Sequence, residues 1–162
     1  MDMKPLVYIE SSVISYLAAK PGRDIVIAAR QAVTHNWWTN KREEFDLCIS
    51  ALVEEEISKG DPEAAKRRLA YVAGINKLTV SALSTEIAEH LITDHAIPIG
   101  SEEDAIHIGI AASHGVQYLN TWNYKHINNV HTKLKIEKLI EQQGLFCSII
   151  CTPEELGGYF DV

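Results

Sequence analysis

SEEDAIHIGIAASHGVQYLNTWNYKHI, residues Ser101 to Ile127, holds a helix, a turn and a strand, and the rest of the chain is arranged around it. Ser101 is a good N-cap. Glu102, Glu103 and Asp104 put carboxylates in the first turn, where the helix dipole favours negative charge. Ile106, Ile108, Ile110 and Ala111 make the helix apolar over much of its surface, as a helix packed on a sheet requires. Gly115 stops it. Val116 to Leu119 then fits a short buried parallel strand. That strand runs into the polar cluster Asn120-Thr121-Trp122-Asn123, at the sheet edge where open α/β folds bind ligands. Ser101-x-x-Asp104 also matches a capping box, and within this segment capping explains the acid as well as chemistry does.

The chain of 162 residues is long enough for one domain with a substantial core, and a single domain over 1–162 is expected. Its 46% hydrophobic and 23% charged residues exclude a disordered chain. No apolar run approaches the roughly 18 residues of a membrane span, so no membrane contact is expected. MDMKPLVYIE meets a carboxylate after a very short apolar run and reads as a first strand, not a secretory leader. Cys48, Cys147 and Cys151 form no Cys-x-x-Cys pair, so buried free thiols in a reducing, cytoplasmic setting are expected. A net charge of −7 excludes a protein that holds nucleic acid by bulk charge. Any such contact has to be local, or mediated by metal cations.

From the N-terminus, Lys4 to Glu10 reads as a strand with Leu6, Val7, Tyr8 and Ile9 as one buried run. That uninterrupted run predicts a central position in the sheet. Ser11 or Ser12 is expected to cap a helix over Val13 to Ala19, which Pro21-Gly22 breaks. Arg23 to Lys41 is a longer helix, and its Trp37-Trp38 pair is read as core packing. Asp46 to Ser50 is the second strand. Ser50 caps the following helix, which carries Glu54, Glu55 and Glu56 and which Gly60 closes. At 100° per residue three successive glutamates cannot share one face, so one of them can turn over the strand ends. Asp61-Pro62 opens a helix with the basic run Lys66, Arg67 and Arg68, read as a solvated face. Lys77 to Val80 is a third strand, and Ser81 caps a helix to Thr93. After Asn123 come a turn, a helix over His131 to Gln143, a strand over Phe146 to Cys151 and a short helix after Thr152-Pro153. The alternation predicts an α/β fold: a three-layer α/β/α sandwich around a mainly parallel sheet.

By position, Glu10 ends strand one, Glu56 follows strand two, Asp104 starts the helix before the strand that Asn123 ends. Adjacent strands would bring all of these to one edge. Clustered carboxylates repel, so such a site calls for a cation, and oxygen ligands suit Mg²⁺ or Mn²⁺. In order, the segments read Tyr8-Ile9-Glu10-Ser11-Ser12-Val13-Ile14; Ser50-Ala51-Leu52-Val53-Glu54-Glu55-Glu56; Asp104-Ala105-Ile106-His107-Ile108-Gly109-Ile110-Ala111; and Leu119-Asn120-Thr121-Trp122-Asn123. In this order and spacing they resemble the motifs of the PIN-domain family, the metal-dependent ribonuclease fold that includes VapC-type toxins. Glu10 stands where the family usually has aspartate, and Asn123 where it has a further acid.

The resemblance implies an endoribonuclease that cuts RNA with Mg²⁺ or Mn²⁺. Glu10, Glu56, Asp104 and Asn123 would form its catalytic and metal-holding set, with Ser12 and Thr121 as supporting hydroxyls. It also implies a small antitoxin partner and a homodimer. Glu55 is the next candidate should Glu56 face away, and Glu103 is only a candidate among nearby acids to compensate for Asn123. His107 is read as a hydrogen-bonded packing residue rather than a ligand or base. The alternative, given the incomplete set of acids, is a catalytically weakened PIN-fold module that binds RNA or protein without cutting.

Overall fold

The computed structural model describes residues 3–159. Five parallel strands form one sheet in the order β3-β2-β1-β4-β5. These are β1 (Leu6–Ile9), β2 (Asp46–Ser50), β3 (Asn76–Leu78), β4 (Tyr118–Asn120) and β5 (Ile149–Cys151). Helices α1 (Ser11–Ala18) and α2 (Ile25–Asn40) link β1 to β2, and α3 (Ala51–Ile57) and α4 (Pro62–Val72) link β2 to β3. Helices α5 (Ala82–Thr93) and α6 (Glu102–Ser113) lead to β4, and α7 (Val130–Gln142) leads to β5. This is the expected three-layer α/β/α sandwich, with β1 at its centre.

The apolar run of strand one explains that position. Val7, Tyr8 and Ile9 are all fully buried, so both faces of the strand are covered. Tyr8 points to one face and meets His107 of α6. Tyr118, paired with Val7, lies on the opposite face and packs on Phe45, which packs on Trp37 of α2. Trp37 is fully buried and Trp38 stacks on Arg42 and Tyr71, so the tryptophan pair is core and not a docking patch.

The chain runs from β1 outward through β2 to β3, then crosses back to place β4 on the other side of β1. The order therefore switches between β1 and β4, and the crevice at the carboxyl ends of those strands is where such sheets take ligands.

Several ends differ from the sequence reading for local reasons. The cap of α1 is Glu10 itself, whose carboxylate accepts the Ser12 amide, and not Ser11 or Ser12. Helix α2 begins after Asp24, which accepts the amides of Val26 and Ile27. Asn76–Leu78, Tyr118–Asn120 and Ile149–Cys151 are shorter than or shifted from the runs at 77–80, 116–119 and 146–151. Register with the neighbouring strand, and not apolarity alone, decides where ladder pairing begins. Arg67 and Arg68 are not merely solvated. Arg67 donates to Ala18 O at the end of α1, and Arg68 donates to Ile57 O and Lys59 O past the end of α3. These are cations at helix carboxyl ends, where the dipole favours them. Cys48, Cys147 and Cys151 are free thiols, each pushed up to about 12 by burial. Among the described residues no helix is long and apolar enough to cross a membrane.

Candidate metal centre

Glu10 follows the last residue of β1 and caps α1, so its carboxylate lies at a helix N-terminus. It is buried, and among the described residues it has no ion-pair partner. Hydroxyls and an amide satisfy it instead. Ser12 Oγ and Thr121 Oγ1 each donate to Oε1 at 2.5 Å, and Ser12 N donates to Oε2 at 3.0 Å. The same hydroxyls tie in the end of β4: Ser12 Oγ accepts the Trp122 amide and Thr121 Oγ1 accepts the Asn123 amide. Ser12 and Thr121 thus lock Glu10 across the switch point between β1 and β4.

Of the three successive glutamates, Glu56 turns toward this edge. Glu54 pairs with Lys77 and Glu55 with Lys59 near the surface. Glu56 Oε1 accepts Ser11 Oγ and His107 Nε2, both at 2.6 Å. Burial pushes the Glu56 carboxyl upward, but the bond and charge of His107, with Ser11 and Glu103, outweigh it and hold the group below the usual value. Burial likewise pulls His107 down, and Glu56, Glu10 and Asp104 outweigh it and raise the imidazole above its usual value. Ligand-capable atoms of Glu10, Glu56 and His107 all lie within 4.8 Å of one another.

Asp104 is not a helix cap. Ser101 makes no side-chain capping bond, and Glu102 accepts the Gly100 amide instead. The Asp104 carboxylate turns to the end of β4. Its Oδ1 accepts Asn123 Nδ2 at 3.1 Å and its Oδ2 accepts His126 Nδ1 at 2.9 Å. Asn123 Oδ1 in turn accepts the His126 amide at 3.0 Å. Asp104 lies outside the tight Glu10–Glu56–His107 group, although its charge reaches His107.

The sequence reading did not single out Tyr8, Ser11 or His126. In sequence Tyr8 reads as one member of an apolar run, Ser11 as a cap, and His126 as part of a turn. No spacing rule would have found them, because their partners are 99, 45 and 22 residues away in the chain.

The donor set fits a hard divalent cation. It offers carboxylate oxygens from different elements at one sheet edge and no thiolate. No protein-family model matches the chain, and no curated protein sequence does. Solved structures do match. One is VapBC2 from Rickettsia felis bound to a DNA fragment from their promoter, at 15% identity over 91% of this chain and 98% of that one, TM-score 0.56. Another is VapC20 of Mycobacterium tuberculosis, a sarcin-ricin loop cleaving toxin, at 18% identity over 74% and 92%, TM-score 0.57. A third is FitAB bound to the IR36 DNA fragment, at 13% identity over 96% and 98%, TM-score 0.58. The chain therefore has the PIN-domain fold of VapC-like toxins, the fold that its four motifs pointed to.

Proposed function

We propose that this protein is a Mg²⁺- or Mn²⁺-dependent endoribonuclease of the VapC-like toxin type. The observation that carries the reading is the meeting of Glu10 and Glu56 at the switch point of the sheet, with ligand-capable atoms within 4.8 Å. Glu10, Glu56 and Asp104 would hold the cation, and Asn123 would set Asp104 through its amide. When bound, the ion would neutralise charge at the scissile phosphate and acidify a water. The chain's own part is to fix the carboxylates. Ser12 and Thr121 hold Glu10, and Ser11 and His107 hold Glu56.

A cation at this edge also answers the charge problem. The chain carries −7 overall, so an RNA phosphate needs a local positive centre. The toxin reading brings a small antitoxin partner and a homodimer, in a cytoplasmic protein. The antitoxin is supported by the likeness to the VapBC2 and FitAB complexes. Exposed Val130, Leu134, Phe146 and Ile149, around α7 and the edge strand β5, offer apolar surface for a second copy.

The test is cleavage of a structured RNA pool with Mg²⁺ or Mn²⁺, repeated with EDTA and with Glu10→Gln. Internal cuts that need the metal and vanish in the variant are expected. Absent cleavage by the folded wild type would overturn the nuclease reading and leave a PIN-fold binding module, and cleavage that survives EDTA would overturn the metal dependence.

A further inference from the structure

Glu56 ends a chain of hydrogen bonds that cation binding alone does not call for. Ser50 Oγ lies 2.7 Å from Tyr8 OH, Tyr8 OH lies 2.6 Å from His107 Nδ1, and His107 Nε2 lies 2.6 Å from Glu56 Oε1. Ser50, Tyr8 and His107 are fully buried, so no bulk water competes for these bonds. They come from the end of β2, the middle of β1 and the second turn of α6, and their target stands on α3.

The sense of the chain follows from the donor inventory. An ionised carboxylate only accepts, and Glu56 Oε1 lies 2.6 Å from His107 Nε2. His107 Nε2 therefore carries the proton, whether the ring is neutral or charged. In the neutral ring Nδ1 has a lone pair, and Tyr8 donates to it. Burial keeps the Tyr8 phenol well above its ordinary pKa, so it has that proton to give. Ser50 then donates to the Tyr8 oxygen, while its own oxygen accepts the Val53 amide at 3.2 Å. Each donor meets an acceptor along one line. A nitrogen that spends its hydrogen on Glu56 has no lone pair for a cation, although it stands among the ligand-capable atoms. Ligation through Nε2 would need the opposite tautomer, which reverses the chain and leaves the Ser50 hydroxyl hydrogen without an acceptor among the described residues.

We propose that His107 is a positioning residue for Glu56 and not a metal ligand. Ser50 and Tyr8 hold its tautomer, and its Nε2–H pins Glu56 Oε1, so that the carboxylate offers its other oxygen to the ion. This rests on reading Glu10 and Glu56 as cation ligands.

Two measurements test it. The first is ¹⁵N NMR of the imidazole in metal-free protein, at a pH high enough that the ring is neutral. Nε2 protonated and Nδ1 hydrogen-bonded is the expected state, with the Nδ1 bond lost in Tyr8→Phe. The second is electron spin echo spectroscopy of the Mn²⁺-loaded protein, together with Mn²⁺ affinities. No directly coordinated nitrogen is expected. Tyr8→Phe and His107→Leu should weaken Mn²⁺ binding roughly tenfold or more, as loss of an outer-shell partner does, whereas His107→Gln keeps an N–H donor and should stay within about threefold. Should His107→Leu fail to fold, Tyr8→Phe decides, since it keeps the ring. An imidazole nitrogen on the Mn²⁺, an unprotonated Nε2, or unchanged affinity in Tyr8→Phe would each overturn the positioning role. A protonated Nε2 in a wild type that takes no Mn²⁺ would instead overturn the cation reading on which it rests.

Discussion

Asn123 shows how much one amide can decide. Its Nδ2 donates to Asp104 and its Oδ1 accepts the His126 amide, so both ends of the side chain are in use. Asn123→Asp keeps the acceptor but deletes the donor, and it faces Asp104 with a second negative charge. Without metal the variant should lose roughly 1–3 kcal/mol, the cost of an unmade bond to a partly buried charged group. A divalent ion should return much of that loss, because it binds only the folded site. Thermal unfolding of both proteins with and without Mn²⁺ checks this, and equal metal-induced shifts would remove Asn123 from the site. The Glu56–His107 pair makes a second prediction, for the metal-free protein. Glu56 is lowered from 4.5, so its contribution is complete above that pH and lost as pH falls through the lower value. His107 is raised from 6.5, so its contribution is complete below that pH and lost as pH rises through the higher value. The stability difference between wild type and His107→Leu should therefore be greatest between the ordinary values of 4.5 and 6.5 and should shrink toward pH 8. Urea unfolding across pH would show it, and a flat difference would contradict the pairing.

At the scale of elements, the packing of α5 on α6 places His107 and Asp104. Gly109 lies five residues beyond Asp104 on α6, where the helices meet at backbone distance. A Cβ built there would stand 2.2 Å from the Ser84 carbonyl oxygen. Ser84 Oγ and Ser113 Oγ, 2.8 Å apart, join the same two helices. Replacing a mid-helix glycine with alanine normally gains about 1 kcal/mol in propensity. Here the sign should reverse. Gly109→Ala should cost roughly 1–3 kcal/mol, because the clash is with backbone and α6 must shift away from α5. Chemical denaturation measures the cost. A stabilised variant would mean that the helices are not held this closely.

For the whole molecule, the arrangement concentrates negative charge at one edge of an acidic chain. Glu10 follows β1, Glu56 lies in the second turn of α3 and Asp104 in the first turn of α6, and the parallel sheet delivers all of them to the same side. On the cation reading, such a fold should gain stability from an ion at that edge. At a Mn²⁺ concentration about 100 times its dissociation constant, the gain should be roughly 2.7 kcal/mol. Differential scanning calorimetry of the wild type should show a rise in Tm with Mn²⁺ that EDTA reverses. Glu10→Gln, which keeps the shape and removes the charge, should abolish the rise. An equal rise in the variant would place the ion elsewhere.

Much of this was legible in the chain itself, because it is local. The apolar run at Leu6 to Ile9 already required a strand covered on both faces, and β1 is central. Ser50, Asp61 and Ser81 announced the starts of α3, α4 and α5, since a cap acts on amides two or three residues away. The order of the four motifs pointed to the PIN fold. Tertiary structure alone decided which groups meet. It set Asp104 against Asn123 and His126 instead of in a cap, made Glu10 the cap of its own helix, and turned Arg67 and Arg68 to the carboxyl ends of other helices. It also joined Tyr8 to Ser50 and His107, across 42 and 99 residues of chain. Periodicity and capping act within a few residues, and so they can be read along the chain. Bonds between strand ends and helices arise from the order in which parallel strands are laid down, and no short spacing records that order.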